Sequence, residues 1–104
     1  MEYLENAYKI AERLPEKEKF NIYSQLTRAA ISINLNIAEG STSTTNPDNK
    51  KFIGISIKSF IETIACHRII IRRKYLSEND AKMIEFEKLG AKLFAKLQAY
   101  RNSM

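Results

Sequence analysis

The chain has 104 residues and a formal net charge of +5, enough for one hydrophobic core and read as a single domain over residues 1–104. Three glycines and two prolines leave few turns and disfavour a many-stranded sheet. The lone Cys66 excludes an internal disulfide, and no apolar run reaches the ~20 residues a membrane span requires, so the expected setting is the cytoplasm, with no membrane contact.

Four helical segments follow in chain order. In the first, residues 2–14, Leu4, Ala7, Ala11 and Leu14 share a face, with Tyr8 beside them. Pro15 ends it or starts the next helix, and Glu16 and Glu18 suit that start, since negative charge is favoured there.

The second segment, residues 16–39, carries two apolar stripes. Ile22, Leu26, Ala29, Ile33 and Ile37 recur at spacings of three and four; Ile31, Leu35 and Ala38 form another stripe beside them. A helix with one wet side needs only the first stripe. The second predicts burial between several helices or against another subunit.

Gly40 to Asn46 reads GSTSTTN and is a loop, with Gly40 as the helix stop. Asn46-Pro47-Asp48 predicts a helix start: a cap, a first-turn proline and an acid. The third helix, residues 47–75, has Ile53, Ile57, Phe60, Ile64 and Ile71 on its main stripe, widened by Ile61, Ala65 and Ile69. Its isoleucines favour strands, but the pattern runs from 52 to 76 without a turn, and strands stop within ~10 residues. Ser77 and Asp80 suggest a near capping box opening the fourth helix. There Phe86, Gly90, Leu93, Leu97 and Tyr100 form the buried stripe. Long helices joined by short loops predict an all-α, antiparallel up-down-up-down four-helix bundle.

The run Leu26-Thr27-Arg28-Ala29-Ala30-Ile31-Ser32-Ile33, followed by Asn36-Ile37-Ala38-Glu39-Gly40, resembles the signature of the 23S rRNA intervening-sequence protein family, small bacterial four-helix bundles. Leu14-Pro15-Glu16-Lys17-Glu18 matches the family's first connection. The chain departs from the pattern in lacking a tryptophan, in its short first helix, and in having Asn34 where a proline is usual. The family is related to accessory proteins of diversity-generating retroelements. The resemblance implies a ring-like homo-oligomer, a pentamer, working beside nucleic acid. In the retroelement branch it implies a reverse transcriptase as protein partner.

The charge is uneven. Residues 47–76 hold seven bases and two acids, whereas residues 1–46 hold five and six. Two groups are candidates for gripping phosphates: Arg68, Arg72, Arg73 and Lys74, and the row Lys88, Lys92 and Lys96 on one face of the fourth helix. Helix-end electrostatics alone accounts for both placements with no recognition required, and for the lysine row a solvated face is the simpler reading. The phenylalanines sit mostly at core spacing, so no base-stacking role is assigned.

Cys66 and His67 are adjacent, but neighbours on a helix diverge by ~100° and form no nucleophile–base dyad. One His and one Cys cannot complete a metal site within a monomer, and no cofactor motif is present. Asn36 and Glu39 are polar groups in an apolar helix. With Gly40 they read as a structural motif, Glu39 accepting hydrogen bonds from the Ser/Thr loop or a neighbouring helix end. The expected function is that of a non-enzymatic oligomeric accessory protein binding RNA or DNA electrostatically. The competing class is a protein–protein interaction scaffold that binds no nucleic acid.

Overall fold

Apolar stripes at helical spacing coil into α1 (Glu2–Ala11), α2 (Ile22–Thr42), α3 (Asn46–Arg72) and α4 (Ala81–Asn102), with one 3-10 turn at Glu16–Glu18. The computed structural model describes residues 1–103. Each helix packs against its two neighbours in a closed square, α1 on α2 and α4, α3 on α2 and α4. Contact register fixes the directions. Ser32 meets Ser59 while Gly40 meets Ile53, so α2 and α3 are antiparallel. Phe60 stacks on Phe94 and His67 on Phe86, so α3 and α4 are antiparallel. Tyr3 stacks on Phe86 while Arg13 binds Asp80, so α1 and α4 are antiparallel as well. By parity α1 opposes α2, and the up-down-up-down bundle expected from the sequence is the fold.

The core is built on Tyr3, Ile10, Leu26, Ile33, Ile70, Met83 and Phe86. Gly90 leaves room for two aromatic rings: a Cβ there would lie 3.1 Å from Tyr3 Cε1 and 3.2 Å from Phe60 Cε1. The contact between α2 and α3 includes the small polar residues Ser32, Ser56 and Ser59. Ser56 Oγ donates to the Ile33 carbonyl at 3.1 Å, and Ser59 Oγ donates to Ser32 Oγ at 2.9 Å. Such residues let two backbones approach closely while each buried hydroxyl finds a partner.

Helix ends differ from the sequence expectation in ways their chemistry explains. Glu16–Glu18 form a 3-10 turn and α2 begins only at Ile22, which shifts the phase of the apolar stripe. Phe20, expected at core spacing, is therefore 87% exposed, with the Lys19 ammonium 5.9 Å from its ring centre. Gly40 does not stop α2; the helix continues to Thr42, and Gly40 is buried against Ile53. Thr45, one residue before the expected Asn46, caps α3 by accepting from the Asp48 amide at 3.3 Å. Asp80 caps α4 by accepting from the Lys82 amide at 2.9 Å, whereas Ser77 accepts from Asn79 and shapes the preceding turn.

Among the described residues, no helix is long and apolar enough to cross a membrane.

Candidate nucleic-acid interface

All seven candidate cations are exposed. Among the described residues the salt bridges are Arg13–Asp80 and Lys82–Glu85, so none of the seven has a carboxylate within 4.0 Å. The structure sorts them into two places.

The first is the end of the bundle where α3 stops. Arg68 and Arg72 lie one turn apart on the outer side of α3, and Arg73 caps that helix. Lys74 adopts a left-handed backbone, φ 60°. It ends α3 with the Tyr75 amide bonded to the Ile70 carbonyl at 3.1 Å and the Lys74 amide to Ile71 at 2.9 Å. That turn directs Tyr75 onto the α1–α2 connection, where its hydroxyl donates to the Glu18 carboxylate. The Arg73 guanidinium and the Lys17 ammonium each lie 5.9 Å from the Tyr75 ring centre. Lys17 is a member of this cluster that sequence spacing does not reveal, because it arrives from a turn 56 residues earlier in the chain.

The second is the outer side of α4. Lys92 and Lys96 line a groove with Met1, Glu2, Tyr3, Leu89 and Leu93, so they turn toward α1. Since His67 sits level with Phe86, Arg72 and Lys96 are roughly 20 Å apart along the bundle axis.

Asn36 bonds within its own helix. Its amide donates to the Ser32 carbonyl at 2.8 Å and to Ser32 Oγ at 3.2 Å, extending the Ser32–Ser59 link between α2 and α3. Glu39 does not anchor the loop: its side chain is exposed, and Thr42 Oγ1 bonds to its backbone carbonyl.

Cys66 and His67 point to different neighbours. Cys66 is buried in the main core, and burial pushes its thiol pKa up. His67 stacks on Phe86, and burial holds its imidazole below the ordinary value despite the opposing pull of Glu87. A thiol with a raised pKa is a poor nucleophile at neutral pH. Among the described residues, no three His, Cys, Asp or Glu side chains converge as a metal site would require.

A search of curated proteins finds no match to this chain. Residues 1–95 match the 23S rRNA-intervening sequence protein family, nearly the whole bundle and every helix that carries the basic groups. The chain therefore belongs to the 23S rRNA-intervening sequence protein family.

Proposed function

We propose that the protein is a non-enzymatic, oligomeric accessory protein that binds nucleic acid through its basic helix faces, chiefly the α3 end with Arg68, Arg72, Arg73 and Lys74. The observation that carries the reading is that seven exposed cations have no acidic partner within 4.0 Å among the described residues. Contacts of this kind reach phosphates and not base edges. Binding is therefore indifferent to sequence and falls steeply with salt.

The test is a titration of RNA and of DNA at low and moderate salt. Replacing Arg68 and Arg72 with Glu removes two contacts and adds repulsion, so affinity falls and the salt slope flattens. Negligible affinity at low salt, or affinity unchanged in the double variant, refutes the reading.

Self-association is supported by Leu35 and Ile61, 59% and 58% exposed on the outer sides of α2 and α3. In a closed ring such as a pentamer these side chains are covered by sister copies. Leu35→Glu and Ile61→Glu then shift the sedimenting species to the monomer. Unchanged sedimentation of both variants removes the oligomeric part of the proposal.

The same stripes favour the second reading, a scaffold whose partner is a protein such as a reverse transcriptase. That reading predicts capture of the partner with no loss on nuclease treatment.

A further inference from the structure

Of the five phenylalanines, Phe20 alone lies in the open; Phe60 and Phe86 are buried, and Phe52 and Phe94 half-buried. At 87% it is also the most exposed of the large apolar side chains. Leu35 and Ile61, which follow it, are aliphatic and lie on the outer sides of α2 and α3. Phe20 lies instead on the turn between α1 and α2, at the end of the bundle where α3 stops. α1 begins and α4 finishes at the opposite end, since α1 runs toward this turn and α4 runs away from it after Asp80 pairs with Arg13.

The turn fixes the backbone beneath the ring. The Glu18 amide bonds to the Pro15 carbonyl at 2.9 Å, the Lys19 amide to Glu16 at 3.0 Å and the Asn21 amide to Glu18 at 3.0 Å. The buried Glu18 carboxylate accepts from the Tyr75 hydroxyl, which pins the turn to the end of α3. Two peptide links separate Glu18 from Phe20, so their α-carbons are no more than about 7 Å apart. The ring is thereby held in the open beside the basic cluster. The Lys19 ammonium lies 5.9 Å from its centre, and Lys17 and Arg73 converge on the neighbouring Tyr75. Of the two carboxylates in this turn, Glu18 is engaged by Tyr75 and Glu16 is exposed.

Resting on the nucleic-acid reading above, we propose that this end of the bundle selects single-stranded nucleic acid. Phe20 stacks on an unpaired base while Lys17, Lys19, Arg73 and Lys74 hold the flanking phosphates. Phosphate contacts alone do not tell a strand from a duplex. An aromatic face does, because every base has a π face, and a duplex keeps those faces stacked on one another. The cations select against the competing occupant: a second copy packed ring on ring would set Lys19 against Lys19.

The probes are a short mixed-sequence strand without self-complementarity and the blunt duplex of the same length, each as RNA and as DNA. The intact chain binds the strand more tightly than the duplex. Phe20→Ala weakens strand binding roughly fivefold to hundredfold. It leaves duplex binding and the salt slope unchanged, since no charge is lost. Phe20→Leu keeps apolar bulk without an aromatic face and behaves as Phe20→Ala. Phe20→Trp retains the preference. The chain has no tryptophan, so this variant also carries a unique fluorophore, quenched by the strand and not by the duplex. With the side chain in solvent, all three variants keep the helical circular dichroism of the parent. A strand preference confined to RNA or to DNA supports the stacking and names the source of the base.

Salt-dependent binding that is equal for strand and duplex, or indifferent to Phe20→Ala, overturns the stacking and leaves the phosphate contacts standing. Phe20→Leu binding as tightly as the parent also overturns it, because a merely apolar contact then suffices. No binding of any probe at low salt overturns this proposal together with the reading it rests on. A smaller sedimenting species for Phe20→Ala assigns the ring to a second copy, and the proposal fails.

Discussion

Tyr3 and Thr63 meet across the diagonal of the bundle, phenol oxygen to hydroxyl oxygen at 2.7 Å, although α1 and α3 are not neighbours. Thr63 has a single hydroxyl proton and donates it to the Phe60 carbonyl at 2.6 Å. The Tyr3 phenol is therefore the donor of the pair. Both groups are buried, and burial pushes the phenol pKa well above its ordinary value.

The direction of that bond gives the first prediction. Tyr3→Phe removes the donor and leaves Thr63 still bonded to Phe60, at a cost of about 1 kcal/mol. Thr63→Val leaves a buried phenol without an acceptor and costs about 1–3 kcal/mol. The double variant loses less than the sum, because each change removes the same bond. Urea unfolding of the four proteins measures the cycle, and strict additivity would refute the assignment.

Two glycines predict opposite signs for one substitution. Gly54 is inside α3, and a methyl group added there would meet nothing within 4 Å. Gly54→Ala therefore gains helix propensity and stabilises by about 1 kcal/mol. Gly90→Ala gains the same propensity but places a methyl 3.1 Å from Tyr3 and 3.2 Å from Phe60. Tyr3 cannot retreat, being stacked on Phe86 at 4.3 Å and bonded to Thr63. Overpacking of this kind costs about 1–3 kcal/mol, so the net effect is destabilising. Melting temperatures that move in the same direction for both variants would contradict this account.

The apolar period made the helices legible, and the outward stripe Ile31–Leu35–Ala38 was legible as surplus because a bundle covers only one face of each helix. Tyr3 and Ile10 were not. The first helix is short enough that two phases of its pattern fit equally, and packing against α4 chose the phase that buries Tyr3, Ala7 and Ile10. Phe20 was misplaced for a local reason, the 3-10 turn that breaks the phase between Pro15 and Ile22. In the candidate interface the cations of α3 and α4 could be named from spacing. Their separation could not, since it depends on the register between two helices and on which side of α4 faces α1. The Lys17–Tyr75–Arg73 cluster arises from contacts distant in sequence and has no counterpart in any local pattern.

Lys74 separates stability from binding. Its φ of 60° is a conformation glycine adopts freely and lysine adopts at a cost. Lys74→Gly is expected to stabilise the fold by up to about 1 kcal/mol while removing one cation from the proposed interface. Nucleic-acid affinity then drops as thermal stability rises. A parallel loss of both would show that the Lys74 side chain supports the helix end in a way its backbone does not reveal.

Acid should weaken the fold in two steps of the same sign. His67 has its imidazole pKa lowered by burial from the ordinary 6.5, so the unfolded chain takes up a proton first as pH falls. This contribution is complete above about pH 6.5 and declines below it. Asp80, gripped by both Arg13 guanidinium nitrogens at 2.7 and 2.8 Å, has its carboxyl pKa lowered from 3.8 to about 2. The folded chain resists protonation there also, and the contribution of the pair, complete above about pH 4, disappears as pH approaches about 2. Urea midpoints measured across this range fall in both windows. His67→Gln flattens the upper step alone and Arg13→Gln the lower step alone. A midpoint that rises with acid in either window, or an upper step that survives His67→Gln, would contradict the assignment of burial as its cause.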